Sequence, residues 1–144
     1  MSLARVYIAS SLENAAAVRE LRDELARHDV GLTYDWTAHG SVQSLGEDRI
    51  AEVAALEAAG VHNADLVIVL LPGGRGTHTE MGIALGATVP VLLVADPAHG
   101  FTGPDGHICA FYLHHGVARA PAGSARELAR HVVALLELDE EDFS

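Results

Sequence analysis

The sequence lacks several features on which whole classes of protein depend. Cys109 is the single cysteine, which excludes an internal disulfide and predicts a reducing, cytoplasmic environment. The formal charge of −11 leaves no basic stripe, so nucleic acids and anionic membranes are disfavoured as partners. No apolar stretch reaches the roughly 18 residues of a membrane span, and the first residues do not follow a secretory signal pattern. We expect a soluble, acidic, cytoplasmic protein.

Several motifs of catalysis and cofactor binding are missing as well. The glycine-rich residues 73–76 lack the Lys and Ser/Thr of a P-loop and do not match the dinucleotide fingerprint, which disfavours triphosphate and NAD(P) hydride chemistry. The nine histidines show no array with metal-ligand spacing. Ser10 and Ser11 belong to no nucleophile-elbow motif. We therefore expect neither a metal ion nor a cofactor.

Apolar runs alternate with helical patterns along the chain. The runs predict strands at residues 3–9, 31–37, 65–72 and 90–96, with an edge strand at 116–120. Helical spacing follows Ser11 as an N-cap and returns at residues 47–64, 78–88 and 124–138, before an acidic tail that we expect to be a solvated end. Apolar strands separated by helices pair in parallel with both faces covered. The sequence predicts a single α/β domain over residues 1–144, a three-layer sandwich with a parallel five-stranded sheet of flavodoxin-like or Rossmann-like type.

Ligands of such sheets bind in the crevice beyond the carboxyl ends of the strands, where Glu80 is the first residue of interest. It follows the glycine-rich loop after the third strand, and the pattern places it in the first turn of a helix. There the helix dipole is expected to lower its pKa and keep it anionic, which suits a nucleophile or an oxocarbenium stabiliser. The alternative is an ordinary acidic residue at a helix start.

Two further candidates have equally plain alternatives. Arg75 binds a ligand anion or pairs with a surface acid. Trp36, which ends the second strand beside Tyr34 and His39, is a core residue or a platform on which a planar base stacks.

The strand end "YIASSLEN", the stretch "NADLVIVLLPGGRGTHTEMGIALG" and the strand "PVLLV" together resemble the nucleoside 2-deoxyribosyltransferase-like superfamily. That superfamily includes the nucleoside deoxyribosyltransferases and the nucleoside 5′-monophosphate N-glycosidases. The resemblance covers about residues 4–95 and is most specific over residues 65–84. It implies that Glu80 attacks the anomeric carbon and forms a glycosyl-enzyme, and that Tyr7 positions this carboxylate. It also implies that Glu57 acts on the leaving base, with Asp65 as a weaker, more structural substitute.

The chain departs from the superfamily pattern at two positions. Glu57 stands where the family has an Asp, and Gly74 stands where the deoxyribosyltransferases carry an acid that contacts the sugar hydroxyls. We expect Arg75 and His78 to supply the polarity of the pocket instead.

The residues after the first strand bear on the substrate. Ser10, Ser11 and Asn14 are expected to contact the substrate. The phosphate-accepting relatives place Ser and Arg just after the first strand, and this chain has Ser11 but also Glu13, which repels an anion. This favours an uncharged nucleoside over a monophosphate, although Arg75 keeps the second possibility open.

The sequence thus predicts an enzyme that cleaves or exchanges the N-glycosidic bond of a nucleoside or nucleotide. Two alternatives remain: a non-catalytic nucleotide- or nucleoside-binding sensor module, and an NAD glycohydrolase. We also expect a homo-oligomer, a dimer or larger, in contact through residues 101–116, which would expose Phe101, Phe111 and Tyr112. The alternative is that these aromatic side chains fold back onto the core.

Overall fold

Five parallel strands form the centre of the protein in a computed structural model that describes residues 3–98 and 100–142, with side chains up to residue 137. The sheet order is β2–β1–β3–β4–β5, and every neighbouring pair is parallel. The strands are β1 (Arg5–Ala9), β2 (Gly31–Leu32), β3 (Leu66–Leu70), β4 (Val91–Ala95) and β5 (Val117–Pro121). This is the strand order of flavodoxin-like doubly wound sheets, so the predicted fold class is confirmed.

Four helices cover the two faces of the sheet. They are α1 (Ala15–Ala26), α2 (Glu47–His62), α3 (Arg75–Gly86) and α4 (Ala125–Asp142). α1 packs against α4 on one face and α2 against α3 on the other, which completes the three layers. None of the helices within the described residues is long and apolar enough to cross a membrane. The expected solvated end at residues 137–144 falls almost entirely outside the described side chains.

The central strands consist of apolar side chains because helices cover both of their faces. Every residue of β3 and β4 is buried, and four of the five residues of β1 are buried with them. Such strands read as continuous apolar runs rather than alternating ones, which is why the sequence located them within a few residues.

β2 is shorter than the predicted strand at residues 31–37. Only Gly31 and Leu32 pair with β1, because the Asp35 side chain accepts a hydrogen bond from the backbone N–H of Thr37 at 3.0 Å and begins a 3-10 turn. The turn directs Trp36 into the core, where its Nε1 donates to the carbonyl of Ile8 at 2.8 Å. The chain therefore leaves the sheet early and folds over the end of β1.

Two helices begin elsewhere than predicted. α1 begins at Ala15 after a 3-10 turn, and the Ser11 side chain makes no capping hydrogen bond there. α3 begins at Arg75, three residues before the predicted start, with Gly74 as its N-cap. Glu80 is consequently in the second turn of α3 and not in the first, so the predicted effect of the helix dipole on this side chain was wrong in its premise.

The aromatic side chains of residues 101–116 divide between surface and core. Phe111 is 61% exposed, whereas Tyr112 is 7% exposed and belongs to the hydrophobic core. Phe101 packs against that core with the Arg119 guanidinium 5.3 Å above its ring. Two of the three aromatics thus fold back onto the protein, and the homo-oligomer stays a prediction.

Candidate active site

A cavity of about 420 Å³ opens beyond the carboxyl ends of β1 and β3, between α2 and α3. This is the size range of small-molecule sites, and the position is the one expected for ligands of a doubly wound sheet. Glu57 of α2 and Glu80 of α3 both line it. Two other cavities, of about 550 and 670 Å³, border the opposite side of α3 and have no carboxylate among the described residues that line them.

Glu80 and Tyr7 form a hydrogen-bonded pair at the inner end of this cavity. The Tyr7 hydroxyl donates to Oε2 of Glu80. Tyr7 is completely buried and Glu80 is 8% exposed. Burial raises the pKa of Tyr7 far above its ordinary value, and the nearby charge of Glu80 raises it further, so the phenol keeps its proton and acts as a donor. The contact that the resemblance implied between these two residues is present.

The pKa of Glu80 moves in the opposite direction from the one that the sequence predicted. Desolvation by burial raises the pKa of Glu80 from 4.5 to about 7, although the hydrogen bond from Tyr7 acts to lower it. The charge of Glu57 raises it as well. The prediction of a carboxylate kept anionic by the helix dipole was therefore wrong, because burial dominates for a side chain in the second turn. A carboxylate with this pKa is more basic than an ordinary one and near half ionisation at neutral pH.

Glu57 is half-buried on the wall of the same cavity, one helix away from Glu80. Burial raises the pKa of Glu57, and His39 acts in the opposite direction. A raised pKa means that this carboxyl group releases its proton less readily than an ordinary one, which suits a group that delivers a proton to a leaving group. Asp65, the weaker candidate for this role, is at the other end of the sheet, where its Oδ2 accepts from the backbone N–H of Arg5 at 2.8 Å.

The residues after β1 form the rim of the cavity. Ser10 is buried and donates to the carbonyl of Leu70 at 2.8 Å, while Asn14 donates to the Ser10 hydroxyl at 3.0 Å. Ser11 also lines the cavity, and its buried Oγ has no hydrogen-bond partner within the described part of the chain. Asn14 supports Ser10 but borders a different cavity, on the α1 side of the sheet. Ser11 is thus the residue of this segment with unused hydrogen-bonding capacity.

The segment after β2 supplies a second wall. Trp36 is 6% exposed, belongs to the hydrophobic core and also lines the cavity, so the core interpretation is confirmed and stacking of a base on it stays a prediction. The carboxylate of Asp35, which caps this 3-10 turn, forms an ion pair with the guanidinium of Arg22 at 2.9 Å. His39 lines the cavity, and its buried Nε2 has no hydrogen-bond partner among the described residues. No sequence pattern identified His39, because its position depends on the unpredicted turn.

The glycine-rich loop contacts the cavity through its backbone. A Cβ atom on Gly73 would lie 2.5 Å from Cγ2 of Thr77, whereas nothing lies within 4 Å of the corresponding position on Gly74. Gly74, Gly76 and Thr77 line the cavity. The backbone N–H of Gly74 donates to Oγ1 of Thr77 at 3.2 Å, which fixes the loop at the start of α3. Thr77 was missed in the sequence because a Thr between a glycine and a histidine carries no motif of its own.

Arg75 and His78 do not line this cavity. Arg75 is exposed at the first position of α3. His78 is on the opposite side of the helix, where its Nδ1 bonds to the Gly74 carbonyl at 2.8 Å and its Nε2 to the Tyr112 hydroxyl at 2.6 Å. The expectation that these two side chains supply the polarity of the pocket is therefore wrong for the cavity that contains Glu80. Within the described residues no group of three or more His, Cys, Asp and Glu is placed to hold a metal ion.

Comparison with known proteins adds a structural neighbour. No family model and no curated protein matches the chain. Among solved structures, the Clostridium botulinum CMP N-glycosidase BcmB is similar with a TM-score of 0.61 and 16% sequence identity, over 89% of this chain and 97% of that chain. At this identity the likeness shows a shared fold over nearly the whole length of both chains.

Proposed function

We propose that the protein is an enzyme that cleaves or transfers at the N-glycosidic bond of a nucleoside or nucleotide, with Glu80 as nucleophile. The observation that carries the proposal is the buried Tyr7–Glu80 pair facing a 420 Å³ cavity that also contains Glu57. Two carboxyl groups on one cavity, one able to attack and one able to hold a proton, are what glycosidic bond cleavage requires. The likeness to a CMP N-glycosidase supports the same chemistry.

In the first step a Glu80 oxygen forms a bond to C1′ while the bond from C1′ to the base nitrogen breaks. The electron pair of that bond goes to the base, which takes up the proton held by Glu57. Tyr7 keeps its hydrogen bond to the other Glu80 oxygen and so orients the attacking one. Water or a second base then attacks C1′, Glu80 leaves as a carboxylate, and the proton of the attacking group returns to Glu57. Two displacements retain the configuration at C1′.

The surrounding residues fit recognition of the rest of the substrate. We assign the Ser11 hydroxyl and the backbone at Gly74 to the sugar, since both line the cavity and Gly74 leaves space there. Trp36 provides an apolar wall for the base. Ser10 and Asn14 hold the rim in place through their hydrogen bonds.

We further propose that an uncharged nucleoside is preferred over a 5′-monophosphate. All nine cationic residues of the chain are arginines, and none is among the residues that line the cavity. A phosphate would meet two carboxyl groups there without a compensating guanidinium, which is unfavourable in a partly buried site. Arg75, which kept the alternative open, is exposed outside the cavity.

Base release from a panel of deoxynucleosides, ribonucleosides, their 5′-monophosphates and NAD tests the proposal. We expect release by the wild type, a loss of at least about 10³-fold in Glu80→Gln, and no loss in Glu20→Gln, the same change at an exposed position of α1. Thermal stabilisation by nucleosides without turnover by the wild type would indicate a sensor instead. Release of nicotinamide alone would indicate an NAD glycohydrolase, and equal release by wild type and Glu80→Gln would exclude Glu80 as nucleophile.

A further inference from the structure

Helix α2 approaches β1 and the residues after β2 very closely at Gly60, which is buried. A Cβ atom on Gly60 would lie 2.9 Å from Cβ of Tyr34 and 3.1 Å from Cδ2 of Tyr7. Carbon atoms that are not bonded rest at about 3.5–4.0 Å from one another. Even a methyl group at this position must therefore displace α2, the backbone at Tyr34 or the Tyr7 ring.

A hydrogen bond holds α2 at this depth. The hydroxyl of Thr33 donates to the carbonyl of Gly60 at 2.7 Å, and the backbone N–H of Thr33 donates to the carbonyl of Val6 at 2.9 Å. Thr33 thus joins the helix to the backbone of β1. The close contact and this tether lie on the same face of α2, and together they define the separation of α2 from the strand.

Glu57 precedes Gly60 by three residues and so lies on the same side of α2, one turn away. The groups whose charges act on one another here come from α2, β1, α3 and the segment after β2. Glu57 of α2 raises the pKa of both Tyr7 and Glu80, Tyr34 raises that of Tyr7, and His39 lowers that of Glu57. Because electrostatic interaction falls with distance, the separation of α2 from β1 determines how strongly Glu57 acts on the Tyr7–Glu80 pair.

We propose that Gly60 is a positioning residue: the absence of a side chain there sets the distance between the Glu57 carboxyl group and the Tyr7–Glu80 pair. Its consequence for catalysis rests on the function proposed above. The spacing itself has a readout that does not depend on turnover, namely the titration of Glu80.

The test is the ionisation midpoint of Glu80 in Gly60→Ala, followed by carboxyl ¹³C NMR of protein labelled at glutamate, with Glu80→Gln to identify the signal. We expect the midpoint to fall by several tenths of a pH unit, because the repulsion from Glu57 weakens. Gly82→Ala is the matched control: this exposed glycine of α3 has nothing within 4 Å of its Cβ position, and the midpoint should not move. A lower melting temperature with an unchanged midpoint would overturn the proposal.

A double mutant shows whether the effect runs through Glu57. In a Glu57→Gln background, Gly60→Ala should produce no further shift of the Glu80 midpoint. A second shift as large as the first would overturn the proposed route.

Thr33→Val provides an independent perturbation if Gly60→Ala does not fold. It places a methyl group where the hydroxyl now lies 2.7 Å from the Gly60 carbonyl, and should shift the midpoint in the same direction by less. An unchanged midpoint would contradict the proposal. In an active protein, kcat should fall several-fold in either variant, with KM changed by less than twofold. A shifted midpoint in a protein that cleaves no nucleoside would leave the spacing role standing and remove the proposed function.

Discussion

Two tyrosine hydroxyl groups form hydrogen bonds with side chains on opposite sides of α3. The two pairs differ in whether the tyrosine's partner has all of its polar atoms hydrogen-bonded. On one side Tyr7 bonds to Glu80, which is buried, shares its cavity with a second carboxyl group and has a raised pKa. On the other side Tyr112 bonds to His78, whose remaining nitrogen bonds to the Gly74 carbonyl. In the neutral imidazole, Nδ1 is the donor to that carbonyl and Nε2 accepts from Tyr112.

The difference separates the pair to which we assign the chemistry from a pair that connects two segments of the fold. His78 has partners for both nitrogens and connects the loop after β4 to the start of α3. Glu80 is a buried charge when it ionises, which has a cost in stability. It shares its cavity with Ser11 and His39, whose buried Oγ and Nε2 have no partner within the described residues. Buried charges and unpartnered polar atoms lower the stability of a protein, and they are found mainly at functional sites, where the rest of the fold offsets the loss.

The largest expected effect is a gain in stability from Glu80→Gln at high pH. A carboxyl group with a pKa of 4.5 when unfolded and about 7 when folded adds stability in its protonated form, below pH 4.5, and that stability is lost as the pH rises through 7. Each unit corresponds to about 1.4 kcal/mol, so the ionised group costs up to about 3 kcal/mol above pH 8. Glutamine does not ionise. Urea denaturation should show the variant to be about 1–3 kcal/mol more stable than the wild type at pH 8.

That gain should disappear near pH 4.5, where both proteins are uncharged at this position. A variant less stable than the wild type at pH 8 would mean that the Glu80 carboxylate is better solvated than its burial indicates.

An effect of intermediate size is expected from Tyr7→Phe. The hydroxyl lowers the pKa of Glu80, so its removal should raise that pKa further above 7. If Glu80 must be ionised to attack, the acidic limb of the profile of kcat/KM against pH should move upward by about one unit. Tyr112→Phe is the matched control, because it removes the hydroxyl of the other pair. A limb that moves equally in both variants, or in neither, would contradict the role of Tyr7.

The smallest effect is expected from Tyr112→Phe itself. Loss of the hydrogen bond to Nε2 of His78 should lower the free energy of unfolding by about 0.5–1.5 kcal/mol. Base release should stay within about twofold of the wild type. Denaturation and activity measured on the same preparation check both parts, and a large loss of activity would show that the two sides of α3 are not independent.

The fold could be predicted further than the site could. Continuous apolar runs located β1, β3 and β4, because buried parallel strands have no polar alternation to obscure them. β5 is mostly exposed and matches the edge strand predicted at residues 116–120. β2 was overestimated because Asp35, an ordinary residue in a strand pattern, caps a turn through its side chain. The start of α3 was placed too late, since glycines at positions 74 and 76 indicated a loop where one of them is the N-cap and the other is helical.

The sequence predicted those residues of the candidate site that lie on correctly predicted strands and helices. Tyr7, Glu57 and Glu80 come together as the resemblance implied. His78 was expected to supply polarity to the pocket, but it is two residues from Glu80 and therefore lies on the other side of α3, where it bonds to Tyr112. His39 was missed because it depends on the turn after β2. The pKa of Glu80 could not be predicted, since burial is a property of the assembled layers and not of one segment.

The two outer strands of the sheet have a consequence for self-association. β2 pairs over two residues, and β5 carries exposed Arg119 and ends at Pro121, which has no N–H to donate. Edge strands that are short, charged or end in proline pair poorly with a strand from another molecule. Neither edge strand favours pairing with a strand of a second molecule. We therefore expect the predicted homo-oligomer to form through helices or loops rather than by extension of the sheet.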